Sequence, residues 1–244
     1  MVELLSDIGN FRKINEDYID YHIDENKRIY VVADGMGGHN AGDVASKLAA
    51  TNTISYLNSI PLIKDMEEEL KNAIFNSNNK IYMLSRSNEE LSGMGTTITA
   101  CMIMGDDMIV ANVGDSRCYI IKNDEIIKVT KDHSLVQQLI DEGSITEDEG
   151  YSHPKKNIIT RALGTKDFVD IDTYKMSVNG IIKVIMCTDG LSNLIKEEEI
   201  YDIVMNKKNC CMELIELSKA RGGKDNISVI VFEGECKDDR NCSR

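Results

Sequence analysis

Residues 28–50 read RIYVVADGMGGHNAGDVASKLAA. Ile29 to Ala33 form an apolar, β-branched run, so residues 28–34 read as a strand. Glycines 35, 37 and 38 break it, and Ala41, Val44, Ala45 and Leu48 follow at helical spacing. Strand, glycine turn and helix is also the shape of a nucleotide loop. The dinucleotide fingerprint fails at its third glycine, where Asn40 stands, and no parallel βαβ context follows. A phosphate-cradling loop fails too, because no Lys-Ser/Thr pair comes after the glycines. A metal turn explains the same residues better: Asp34 gives its carboxylate, and Gly35 lets the backbone carbonyl approach an ion.

Three more aspartates repeat the pattern: Asp115 in NVGDSR, Asp189 in MCTDG and Asp225 in GGKDN. Each adjoins an apolar run that reads as a strand, and each has a glycine or small residue beside it. Carboxylates aimed at one point from several strand ends repel one another unless a cation lies among them. Hard oxygen ligands without nearby His or Cys favour Mg²⁺ or Mn²⁺ over Zn²⁺.

Upstream, residues 18–24 (YIDYHID) read as a strand joined to 28–34 by the turn Glu25-Asn26-Lys27. A second helix shows in Met66, Leu70, Ala73, Ile74, Ser77, Ile81 and Leu84, which share one face. Short strands follow at 96–104, 107–114, 117–122 and 125–129, read as one antiparallel meander. Residues 133–142 read as a helix capped by Ser134 or Asp132. Residues 143–157, with Pro154 and little apolar content, read as an exposed, mobile segment that suits a substrate-facing flap or, equally, an ordinary surface loop. Strands return at 168–176 and 181–187, a helix at about 209–220, and a last strand at 226–233. Antiparallel strand groups with helices between them predict an α+β fold, sheets packed together and helices outside.

The 244 residues suit one large domain, expected at 1–234, with a short polar tail at 235–244. Composition is ordinary for a globular chain, 42% apolar and 28% charged. The net charge of −13 argues against nucleic acid or an anionic membrane as partner. The seven cysteines are odd in number and show no CxxC spacing. They read as free thiols, with Cys101, Cys118 and Cys187 as small core residues. No Cys-x5-Arg loop exists to make one of them a nucleophile. The N-terminus lacks a basic stretch and a long apolar region, so a cytoplasmic protein is expected.

In SDIGNFRKINEDY (6–18), Arg12 precedes Glu16 and Asp17 by four and five residues. The cluster reads either as a surface ion pair or as a guanidinium fork for a phosphate dianion beside two acids. Taken together, the segments resemble the metal-dependent protein phosphatases, the PPM or type 2C serine/threonine phosphatases, in their compact bacterial form. SDIGNFRKINED, VVADGMGGH, GMGTTITA, ANVGDSRCYI, VTKDHS, ITRALG, MCTDGLSN and GGKDNISVIVF occur in the family's order from Ser6 to Phe232.

The resemblance implies a four-layer α/β/β/α sandwich of two antiparallel sheets flanked by helices, with the site at one end. It implies that Asp34 bridges two metals and that Gly35 binds one through its carbonyl. Asp189 and Asp225 would hold the first metal, Glu16 and Asp17 would act through bound water, and Asp115 with Asp189 would hold a weaker third. Arg12 would grip the phosphate. His39 is a candidate general acid, with a solvent molecule as the alternative. His22 reads as a strand residue, His133 as a local hydrogen-bonder and His153 as a solvated flap residue. The implied chemistry is hydrolysis of phosphoserine and phosphothreonine by a metal-bridging hydroxide, with Mn²⁺ or Mg²⁺ as cofactor. The implied partners are phosphorylated proteins, substrates of a serine/threonine kinase, and the implied form is a monomer.

Overall fold

A computed structural model describes residues 1–37 and 41–234. Two antiparallel sheets are stacked face to face. The five-stranded sheet runs β1 (Val2–Asp7), β11 (Ile227–Glu233), β10 (Ile181–Cys187), β7 (Arg117–Lys122) and β8 (Glu125–Lys128). The six-stranded sheet runs β2 (Asp17–Ile23), β3 (Arg28–Met36), β5 (Ile98–Met104), β6 (Asp107–Val113) and β9 (Asp172–Ser177), with β4 (Gly95–Thr96) paired to β3. Helices α1 (Gly42–Ser59) and α2 (Met66–Ser87) cover the six-stranded sheet. On the other outer face lie α5 (Asp189–Ser192), α6 (Glu197–Asn206) and α7 (Cys210–Ala220). Two short helices, α3 (Leu135–Asp141) and α4 (Glu147–Tyr151), lie between β8 and β9. The α+β sandwich expected from the motifs is what the chain forms.

Central strands are apolar on both faces because both are covered. In β3, Ile29, Val31 and Ala33 pack under α1 and α2, while Tyr30 and Val32 face the other sheet. In β11, Val229 and Val231 pack under α7, while Ile230 and Phe232 meet β3 and its neighbours. Strands buried on two faces read as continuous apolar runs instead of alternating ones. The inter-sheet layer centres on Tyr30 and Phe232, whose rings stack with centroids 3.6 Å apart and planes 6° from parallel. Phe232→Ala should cost about 3–5 kcal/mol in a urea-unfolding series, because both sheets hold the cavity open. A loss under about 1 kcal/mol would mean the layers collapse around the gap.

Three expectations need correction. The run of strands from 96 to 129 is not one meander. β5 pairs with β6, and β7 with β8, but β6 and β7 belong to different sheets. The chain crosses between layers at Gly114-Asp115-Ser116, where Gly114 takes φ 113°, a conformation that side chains rarely allow. Residues 168–171 precede β9 and are not strand. The flap is also more ordered than expected: Thr146 and Glu149 form a capping box that starts α4. Three of the labelled elements, β1, α5 and α6, were not foreseen. β1 is an edge strand whose mixed VELLSD pattern gives no clear period, and its pairing with β11 defines it. Ser134, as expected, caps α3 by accepting from the Gln137 amide at 3.2 Å.

Candidate metal centre

The acids predicted from sequence converge at one end of the sandwich. Asp17 opens β2 and lies opposite Asp34 of β3 in the ladder. Asp189 begins α5 immediately after β10, and Asp225 lies two residues before β11. Asp115 sits on the crossing between the sheets. Two of the five thus come from the six-stranded sheet, two from the five-stranded sheet, and one from the link between them.

Their surroundings are built to fix them. Asp17 accepts from Thr188 Oγ1 at 2.9 Å and Ser228 Oγ at 2.7 Å through Oδ2. Asp189 Oδ2 accepts from Asn193 Nδ2 at 3.0 Å. The backbone at Asp34 is tied to β4 and β5 by the Thr97 hydroxyl and amide and the Thr96 hydroxyl. Asn226 staples three segments: its side chain donates to the carbonyls of Ile8 and Ile14 and accepts from the Glu16 amide. Those bonds set where the Arg12–Asp17 segment lies. His133 accepts from the Gly114 amide at 3.1 Å and reaches Asp172 through Nε2, so it braces the turn beside Asp115.

Electrostatics show what this pocket lacks. Desolvation first, and then the charges of its neighbours, push Asp17 up to about 7 and Asp189 up to about 6. Asp34 is raised well above the usual carboxylate range by desolvation and by Asp17, Asp189, Asp115 and Asp225. Asp115 is raised by the same two causes, with Asp189 and Asp132 as the main charges. Burial also raises Glu16. Among the described residues, Asp17 Oδ1 and Asp189 Oδ1 are buried oxygens without a hydrogen-bond partner. Orphaned carboxylate oxygens in a cluster of mutually repelling acids fit a divalent cation bound by hard oxygens. Gly35 fits as well: a Cβ there would lie 2.1 Å from Gly42 O and 2.5 Å from Glu16 O, so only glycine allows this packing.

Arg12 stands at the rim with Nη2 at 2.8 and 2.9 Å from the two oxygens of Asp225 and Nη1 at 3.8 Å from Glu16. The hydrogen bond that Arg12 donates to Asp225 holds its pKa above the ordinary arginine value. His39 lies outside the described residues, as does the 235–244 segment. Cys101 and Cys187 are core thiols pushed up to about 12 by burial, so neither ionises readily.

A cleft of about 410 Å³ leads from Asp115 and Asp189 under the flap, between α4 and the start of α6. Sequence reasoning gave no role to two cations lining it. Arg117 forks onto Asp132 at 2.6–3.1 Å. Lys156, from the flap, lies 3.4 Å from the Asn193 carbonyl and interacts electrostatically with Asp189. Neither sits beside a site aspartate in a way that spacing reveals, apart from the two-residue step from Asp115 to Arg117.

The profile of the protein phosphatase 2C family matches residues 10–227. The serine/threonine phosphatase stp of Listeria welshimeri is 36% identical over 238 residues, covering 95% of this chain and 94% of that protein. The crystal structure of the serine/threonine phosphatase Stp1 from Staphylococcus aureus has a TM-score of 0.90 at 33% identity, covering 95% of this chain and 94% of that one. The catalytic domain of the serine/threonine protein phosphatase PstP, crystallised with two manganese ions, has a TM-score of 0.83 at 32% identity, covering 95% and 96%.

Proposed function

The chain belongs to the protein phosphatase 2C family and is a metal-dependent serine/threonine protein phosphatase, and we propose that its acid cluster is the catalytic metal site. The observation that carries this assignment is the pair of orphaned oxygens, Asp17 Oδ1 and Asp189 Oδ1, inside a nest of buried acids. In this reading Asp34, the Gly35 carbonyl, Asp189 and Asp225 hold two Mn²⁺ or Mg²⁺ ions, with Glu16 and Asp17 reaching them through water. Asp115, with Asp189, is assigned to a third, weaker ion. Bound there, the divalent ions supply Lewis acidity toward water and the phosphoryl oxygens.

The remaining work falls to protein groups. Arg12, whose fork rests on Asp225, would bind two oxygens of a phosphate dianion where Asp225 served as a metal ligand. The family of contacts around Asn226 keeps that fork aimed at the acids. The cleft beneath residues 147–156 receives the chain on either side of the phosphorylated residue, with Lys156 close to the acids. Substrates are taken to be phosphoproteins made by a serine/threonine kinase in a cytoplasmic signalling pathway, the working form a monomer, and residues 1–234 the catalytic domain. No helix among the described residues is long and apolar enough to cross a membrane.

The direct test is phosphate release from phosphoserine, phosphothreonine and phosphotyrosine peptides, titrated with Mn²⁺ and Mg²⁺, beside a phosphodiester. Metal-dependent turnover of the first two, abolished by chelator, is the expected result. Preferential diester cleavage would overturn the assignment. Arg12→Ala should raise KM for a phosphothreonine peptide about ten- to a hundredfold, the value of a charged hydrogen-bond fork. An unchanged KM would remove Arg12 from substrate binding.

A further inference from the structure

β1 and α7 run side by side, and each carries ionisable groups at both ends. At one end Lys219 pairs with Asp7 at 3.2 Å, close to the Asn10 and Arg12 segment. At the other end, about 13 Å away by the rise of either element, Glu3 meets Cys210 and Cys211. The Cys210 thiol lies 3.1 Å from Glu3 Oε2, and the Cys211 amide donates to Glu3 Oε1 at 2.8 Å. All three ligand atoms lie within 4.8 Å of one another.

We propose that Glu3, Cys210 and Cys211 form a second metal site, for a soft divalent cation of the Zn²⁺ or Cd²⁺ class. It is independent of the phosphatase reading. Two thiolates on one tetrahedral zinc stand about 3.8 Å apart, given Zn–S near 2.3 Å. A set whose ligand atoms lie within 4.8 Å of one another therefore closes onto an ion with side-chain adjustments of at most about 1 Å. Both cysteines are buried, and Glu3 has no lysine, arginine or histidine partner among the described residues. Its negative charge is instead turned on two thiols at the start of an 11-residue helix. The neighbouring Cys210, burial and Glu3 together hold the Cys211 thiol well above its ordinary value, so the set becomes anionic only with a cation among its members. Cys210 and Cys211 share an apolar cluster with Cys187, but Cys101, Cys118 and Cys187 sit within strands, whereas Cys210 and Cys211 open a helix against a carboxylate.

Binding exchanges two thiol protons for the cation. The ion gains two thiolates and a carboxylate oxygen, water completes the fourth position, and two protons leave to solvent with no change of oxidation state. The sulfur-rich set discriminates against Mg²⁺ and Mn²⁺, which the all-oxygen cluster prefers. The two sites can therefore be filled separately.

The test uses full-length protein carrying Cys236→Ser and Cys242→Ser, saturated with Mn²⁺, and titrated with Cd²⁺. Cadmium–thiolate charge transfer in the ultraviolet reports sulfur ligation alone, since the acid cluster contains no cysteine. The expected result is a band that saturates at one equivalent and disappears when Cys210→Ser and Cys211→Ser are added. Circular dichroism checks that this variant folds. Glu3→Gln, which keeps the shape and removes the charge, should weaken Cd²⁺ binding by at least about tenfold. A missing band, a band that survives loss of both thiols, or an unchanged affinity in Glu3→Gln would overturn the proposal.

Discussion

Asp34→Asn should lower kcat on a phosphothreonine peptide by about a thousandfold or more while leaving the protein folded. Asp34 is the acid on which the others converge: beyond the desolvation that raises its pKa most, the charges of Asp17, Asp189, Asp115 and Asp225 all raise it further. An amide of the same shape keeps the ladder position opposite Asp17 but could not carry the charge that, in the proposed site, would hold the cations. The same substitution relieves repulsion in the metal-free state, so the variant should melt at or above the temperature of the metal-free parent. Activity and stability therefore move in opposite directions, which separates a lost ligand from a damaged fold. Near-normal turnover by Asp34→Asn would end the assignment of this cluster as the catalytic site.

Metal-free protein should lose stability as pH rises from 5 to 8, and Mn²⁺ should return it. Asp17 is raised to about 7 and Asp189 to about 6, against an unfolded value of about 3.9. A carboxyl with a raised folded value favours the folded state fully below its unfolded pKa, and that contribution is lost as pH climbs through the folded one. Glu199, drawn down to about 2 by Arg221, works in the opposite sense, but its contribution is lost only in strong acid, below this window. In the presence of chelator, Tm should fall by about 5–10 °C between pH 5 and pH 8. Added Mn²⁺ at pH 8 should raise it by mass action on the folded state alone. A flat pH profile without metal, or no response to Mn²⁺, would show that the acids are neither crowded nor cation-binding.

Much of this was legible in the chain because the informative residues are short-range signals. Asp34 announces itself through the strand before it and the glycines after it, and Asp115, Asp189 and Asp225 repeat that form. Asn226, Thr188 and Ser228 were not legible as site residues: their roles depend on partners 40 to 218 positions away, brought close only by sheet pairing. Asn226-Ile227-Ser228 has the form of a glycosylation acceptor, and nothing local distinguishes that from a staple. The false meander has a related cause. Two strands separated by Gly114, Asp115 and Ser116 look like a hairpin, and only the pairing of β7 with β10 and β8 places it in the opposite layer. α6 went unread because Glu197, Glu198 and Glu199 hide the apolar face formed by Ile200 and Val204.

The distribution of the acids over both layers has a mechanical consequence. Asp17 and Asp34 ride on one sheet, Asp189 and Asp225 on the other, and Asp17 is itself hydrogen-bonded to Thr188 and Ser228 across the gap. In the proposed site, any shear of one sheet over the other would separate the ligands of a single ion. Ion affinity would then gauge how well Tyr30 and Phe232 keep the layers in register, and a filled site would rivet the two halves so that they melt as one cooperative unit.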